Sequence, residues 1–140
     1  MRIEDEALFD LFRGPGACDV CGAVVRRREP HHIIHRGRAR LDLRWNILGV
    51  CAFPEGNNCH YRIHAATMTI EGQRLTREDL FVLVSLREGV AIDDIEPVLW
   101  CLARLPRGCR PWEFDRETAG LTPVQREWVV RFMERPGRAR

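Results

Sequence analysis

Apolar positions in this chain recur first at a helical interval. Ile3, Ala7, Leu8, Leu11 and Phe12 fall on one face, which predicts a short helix over 2–12, stopped by Gly14-Pro15-Gly16. The pattern then changes character. Cys18 to Cys21 followed by Gly22 reads as a metal-knuckle turn, with Val24 and Val25 leading out of it. Ile33 and Ile34 favour pleated backbone, so a strand is expected over 31–34, and the apolar run 47–51 predicts a second. Residues 36–44 between them read as a basic loop. From Cys59 to Ala66 the spacing is helical again, which places His60 and His64 one turn apart on the same face. A brief strand is expected at 68–70.

Beyond that point the pattern is helical. Thr76-Arg77-Glu78-Asp79 has the form of a capping box, with Leu75 and Leu80 placed as a hydrophobic staple, and predicts a helix over 77–88 that stops at Gly89. Pro97 suits the first turn of a helix over about 95–104. Thr122-Pro123-Val124-Gln125 gives the last helix an N-cap, a proline at its first position and a glutamine at its third. That helix should run to about Glu134, with Pro136-Gly137 ending it and the tail to Arg140 frayed. The result is an α+β chain without internal repeats. A ligand-rich half reaches to about residue 70, and an all-helical half follows, read as packing or partner surface.

A length of 140 residues with 45% apolar content suits one domain with a modest core, a size at which a metal staple is common. No apolar run approaches the roughly 18 residues of a membrane span. The acidic, amphipathic start MRIEDEALFD lacks the basic-then-apolar layout of a secretion signal. The expectation is therefore a reducing cytoplasm, where Cys-x-x-Cys indicates metal or redox chemistry rather than a structural disulfide. The net charge of +2 says little, but its distribution says more. Arginines 26, 27, 28, 36, 38, 40 and 44 face only Glu29 and Asp42 over that stretch. All 22 cations are arginine, which a GC-rich genome explains more simply than function does. The clustering of arginines beside the histidines is what points to phosphate.

All five histidines and four of the six cysteines lie between Cys18 and His64. Cys18-x-x-Cys21 supplies two zinc ligands from one turn, and Cys51 with Cys59 supplies two more. Seven residues separate that second pair, where two to four are usual, and Pro54 to Asn58 read as the enlarged turn that accommodates them. Cys101 and Cys109 show the same gap. They are the less favoured pair because Cys51 and Cys59 bracket the other ligands, and Cys101 suits a small core position. Neighbours on a strand point to opposite faces, so one histidine of His31-His32 can bind a metal with His60 and His64 while the other meets a different group, such as an attacking water. His35 reads as a surface residue or a phosphate contact. Trp45, Phe53, Trp100, Trp112 and Trp128 read as packing.

Cys18-x-x-Cys21, Pro30-His31-His32-Ile33-Ile34, Asn46 and Cys59-His60-Tyr61-Arg62-Ile63-His64, in that order, resemble an HNH endonuclease of the zinc-containing, phage-associated kind. The resemblance covers about residues 17–66. It implies a small ββα-metal, treble-clef-like core in 1–70, stapled by a four-cysteine zinc, with an N-terminal helix and a helical extension over 71–140. It implies structural zinc on Cys18, Cys21, Cys51 and Cys59. It also implies one catalytic divalent cation (Mg, Mn, Ni or Zn) on His31 and His60, with His64 as a third ligand or phosphate contact. His32 would be the general base and Asn46 would hold the loop that orients it. Arg36, Arg38, Arg40, Arg44 and Arg62 would grip phosphates of double-stranded DNA. The products would be a 5′-phosphate and a 3′-hydroxyl. The location would be the cytoplasm of a bacterial host, with a homodimer or the phage packaging machinery as further partners. The alternative is a non-catalytic zinc module that docks DNA or protein and needs only the thiols.

Overall fold

The computed structural model describes residues 1–65, 69–70 and 73–134. Among them lie six α-helices and three two-stranded antiparallel ladders, an α+β fold. Helix α1 spans Glu6–Leu11, shorter than the 2–12 expected. Ile3 is drawn out of the helix into a parallel bridge with Leu41, and the Asp5 side chain caps the helix by accepting from the Leu8 N–H at 3.0 Å. Strands β1 (Gly16–Ala17) and β2 (Val24–Val25) flank the cysteine knuckle. Strands β3 (Glu29–His32) and β4 (Ile47–Val50) pair with His31 opposite Leu48 and His32 opposite Ile47. The strand expected at 31–34 therefore lies two residues earlier. Ile33 and Ile34 leave it to bury in the core, and Asn46 takes over their pairing: Ile33 N–H donates to its carbonyl at 2.9 Å and Ile34 N–H to its Oδ1 at 2.7 Å.

The loop between β3 and β4 is less exposed than its charges suggest. Ala39, Leu41 and Leu43 are buried together with Arg40 and Asp42 between them, and a 3-10 turn at Arg44–Asn46 leads into β4. Helix α2 (Cys59–His64) follows, then β5 (Thr69–Ile70) paired with β6 (Gln73–Arg74). Met68, at the start of the expected strand, Ala66, at the end of the expected helix, and the stop signal and tail at 136–140 lie outside the described residues.

Helix α3 (Arg77–Glu88) starts on the Thr76/Asp79 capping box. Helix α4 (Ile92–Arg104) begins three residues before the expected position, so Pro97 is interior. A proline there has no N–H for the Asp93 carbonyl four residues back, and the side chain of Gln125 donates to that carbonyl instead, at 3.3 Å. Helix α5 (Pro111–Thr118) was not expected; a proline at its first position starts it, and the Glu113 carboxylate accepts from the Arg110 N–H at 2.9 Å. Helix α6 (Pro123–Glu134) is capped as its sequence indicates, with Thr122 and Gln125 bonded to each other's backbone.

One hydrophobic cluster runs from Ile3 through Leu48 and Phe81 to Phe132, so the helical half packs on the ligand-rich half. Trp45, 1% exposed, meets Trp128 and Phe132 with ring centroids at 4.7 and 4.9 Å. Arg87 of α3 reaches across to Asp19 of the knuckle at 2.7 Å and to the Ile47 carbonyl at 2.9 Å. Two aromatics expected in the core are instead outside it: Phe53 is 83% exposed and Trp112 56%.

Candidate functional site

Two ligand groups lie in the segment from Cys18 to His64. The first joins Cys18, Cys21, Cys51 and Cys59, whose sulfurs all fall within 4.8 Å of one another, and all four are free thiols. The knuckle is set by Gly22, whose φ of +77° suits glycine and whose N–H closes the turn onto the Cys18 carbonyl at 2.9 Å. The wide Cys51–Cys59 gap is folded into a compact turn. Asn58, in the left-handed region, accepts from the Phe53 N–H at 3.1 Å, and the His60 N–H returns to the Cys51 carbonyl at 3.0 Å. Gly56 has φ +64°, and a Cβ there would stand 2.8 Å from the Cys51 sulfur, so only glycine lets the turn close over the thiol.

Backbone N–H groups face the sulfurs: Val20 and Cys21 toward Cys18 at 3.4 and 3.5 Å, and Cys59 toward Cys51 at 3.5 Å. Burial pushes the Cys21 thiol up, but the Ala23 N–H, Asn57 and the neighbouring thiols outweigh it and bring it down to about 6. Burial raises Cys18, and burial together with Cys51 and the other thiols raises Cys59 strongly. Four sulfurs this close can all be thiolates only around a cation. The donor set fits a tetrahedral zinc. Among the described residues Cys101 and Cys109 join no such group: Cys101 is buried in α4 with its thiol 3.6 Å from the Glu117 carbonyl.

The second group joins His31, His60 and His64, again with ligand nitrogens within 4.8 Å. His31 comes from β3, and the other two lie one turn apart on α2. Nε2 of His60 and Nε2 of His64 face each other at 3.1 Å. The other nitrogen of His60, Nδ1, is held by the Glu29 carboxylate, which leaves Nε2 for a ligand. Burial, then the charges of His64, His60 and His35, push His31 down to about 3, so its imidazole is neutral and its lone pair available at neutral pH. Burial and the neighbouring histidines push His64 down as well. His31 is buried and His64 exposed, so the group opens to solvent on one side. The three imidazoles fit a divalent ion.

His32 joins neither group. It is buried, its Nε2 lies 2.7 Å from Asp42 Oδ1, and its ring stacks on Phe9 at 5.3 Å. Burial lowers its pKa, and Asp42 works against that. Asn46, 0% exposed, ties the loop by donating to the carbonyls of Ile34 and Leu41 at 3.2 and 3.0 Å. All five histidines line one cavity of ≈ 350 Å³, with Phe9 in its wall, exposed Arg36 at its rim and none of the thiols lining it. His35 lies on that rim, exposed, with its ring 6.1 Å from that of His31. A larger cavity of ≈ 640 Å³ beside Trp100, Glu78 and Glu96 lies on α3 and α4 and holds no histidine or cysteine.

The five arginines expected at phosphates separate by environment. Arg36 is exposed at the cavity rim, 5.9 Å over the Phe9 ring. Arg38 is exposed and lies over Trp100 at 5.5 Å. Arg62, half-buried on α2, is engaged within the protein. Arg40 and Arg44 are both engaged in ion pairs within the protein. Arg40 is 8% exposed and pairs with Asp42 at 2.9 Å and Glu6 at 2.5 Å, while Arg44 holds Glu88 with two bonds of 2.6 and 3.0 Å. Two acids that sequence reasoning passed over, Asp42 and Glu29, serve the histidines directly. Their signal was present: they are the only acids in the arginine stretch. Comparison of the chain with protein-family models, with curated proteins and with solved structures finds no match in any of the three.

Proposed function

We propose that the chain is a metal-dependent endonuclease of the HNH kind that hydrolyses phosphodiester bonds in double-stranded DNA, of phage or mobile-element type. The observation that carries this reading is the split of the histidine doublet. His31 turns to His60 and His64, while His32, its neighbour on β3, turns to a buried carboxylate, and both line one cavity. The chain order of β3, β4 and α2 is that of a ββα-metal core, and Asn46 closes the intervening loop.

His31, His60 and His64 would hold one divalent ion. Such an ion supplies positive charge to the phosphoryl oxygens and to the leaving 3′-oxygen. Imidazole donors suit Zn or Ni better than Mg or Mn. His32, its pKa lowered by burial, is neutral at working pH and takes the proton from the attacking water. Arg36 meets the flanking phosphate, and Phe9 walls the cavity beside His32. The four thiols hold a structural zinc that sets the knuckle against β4 and α2. Among the described residues no helix is long and apolar enough to cross a membrane.

The test is nicking of supercoiled plasmid with Mg, Mn, Ni or Zn. Wild type should cut, and His32→Ala should cut on the order of 10²–10⁴-fold more slowly while retaining its metals. Equal cutting by the mutant sinks the assignment. The second reading, a zinc module that docks DNA or protein, draws on the thiol group alone, which is complete without the histidines. It predicts one zinc per chain, no second metal and no cleavage.

A further inference from the structure

A carboxylate at 0% exposure must be matched by donors, and Asp42 is. Its Oδ2 accepts from the Asp5 N–H at 2.9 Å and from Arg40 Nε at 3.1 Å, with Arg40 Nη2 in ion-pair contact at 2.9 Å. Arg40 is anchored on its far side by Glu6. Burial opposes the charge on Asp42, but Arg40, the Asp5 amide and His32 outweigh it and hold the carboxyl below the usual range. Its Oδ1 is left for His32 Nε2 at 2.7 Å.

An ionised carboxylate can only accept, so the proton between these atoms belongs to Nε2. The lone pair of His32 is then on Nδ1. That atom has no hydrogen-bond partner among the described residues, and no buried side-chain nitrogen is left unsatisfied, so Nδ1 opens to the cavity. The ring cannot turn freely, because Phe9 stacks on it with an interplanar angle of 21°.

We infer that Asp42 is a positioning residue for the hydrolysis: it fixes His32 as the Nε2–H tautomer and presents Nδ1 as the atom that takes the proton. This rests on the nuclease reading. In the step, a water O–H bond breaks and its proton moves to Nδ1. The water oxygen bonds phosphorus, and the bond from phosphorus to the 3′-oxygen breaks with its electron pair on that oxygen. The 3′-oxygen takes a proton from solvent, and His32 returns its own to solvent. The transient imidazolium is matched by Asp42, and Arg40 keeps Asp42 charged.

The test is ring-¹⁵N NMR on the zinc-loaded full chain, with plasmid nicking run alongside. Wild-type His32 should carry its proton on Nε2. In Asp42→Asn that preference should be lost, and kcat should fall on the order of 10²–10⁴-fold with KM within about twofold. A wild-type proton on Nδ1 overturns the inference and needs no variant. So does an Asp42→Asn protein with wild-type zinc content and circular dichroism whose tautomer and kcat are unchanged. The expected tautomer without any nicking by wild type supports the clamp and overturns the nuclease reading, so the two failures are told apart.

Discussion

Three of the four thiols are buried and the fourth stands at the tip of the knuckle, whereas the histidine group runs from buried His31 to exposed His64. Both groups come from one stretch of chain, and α2 serves both. Four sulfurs complete a tetrahedral ion, but three imidazoles leave a position open. The electrostatics differ in the same sense. Burial raises Cys18 and Cys59, so those thiols become ligands only when a cation is there. Burial lowers His31, so that imidazole is a ready ligand beforehand. A closed site whose ligands are made by the ion suits folding, and an open, prepared one suits the proposed chemistry. Variants that strike one group and not the other put this contrast at risk.

The largest effect is expected at the thiols. Structural zinc is worth on the order of 10–16 kcal/mol, as much as the whole net stability of a small domain at about 5–15 kcal/mol. Cys51→Ser should lose cooperative thermal unfolding, and a strong chelator should do the same to wild type, followed by circular dichroism and zinc content. A cooperative melt like that of wild type would make the thiol site dispensable. His60→Ala should behave in the opposite way. It should lose one metal equivalent and at least about 10²-fold in nicking rate, and keep its zinc and its melting temperature within a few degrees. If His60→Ala unfolds as Cys51→Ser does, the two groups are one structural unit.

The local features of both groups were legible because they depend on spacing. Cys18-x-x-Cys21 needs only one turn, and His60 and His64 need only a helix between them. What spacing cannot reveal is what a long turn or a loop does in three dimensions. The Cys51–Cys59 gap is wider than usual and reads as an enlarged turn, but how that turn closes was not legible: Gly56 and Asn58 adopt left-handed backbone. Arg40 and Arg44 looked like a basic surface, but each meets an acid distant in sequence, Glu6 or Glu88. Helix α4 extends past Pro97 because Gln125, from another helix, replaces the missing donor. Caps were readable for the same reason as the knuckle: Thr76 with Asp79, and Thr122 with Gln125, act within three residues.

A smaller effect separates the ligands from their supports. Glu29 holds Nδ1 of His60, so Glu29→Gln should weaken metal at the histidines by about 10–100-fold, or about 1.4–2.7 kcal/mol. Zinc at the thiols should be unaffected, because the Glu29 carboxylate is engaged at the histidines. Titration of the zinc-replete protein with Ni by calorimetry reads the difference. Unchanged affinity would mean that the helical spacing of His60 and His64 alone orients the site.

The smallest effect is expected at Cys101, and it tests which thiols the zinc uses. Burial raises the pKa of Cys101, so at neutral pH it is a thiol, poor as a nucleophile and as a ligand. Its sulfur bonds the Glu117 carbonyl, and Cys109, the other member of the rival pair, bonds its neighbour's carbonyl at 3.5 Å. Cys101→Ala removes one buried sulfur from the packing of α4 on α5, at a cost of about 1 kcal/mol. Metal content should stay at the wild-type value for both sites, and the denaturant midpoint should shift only slightly. A drop in zinc would undo the contrast at its base, because the closed site would then extend into the helical half. An unchanged zinc content confines it to the segment that also carries the histidines, where a structural ion can set the register of β4 and α2 for the chemistry proposed beside it.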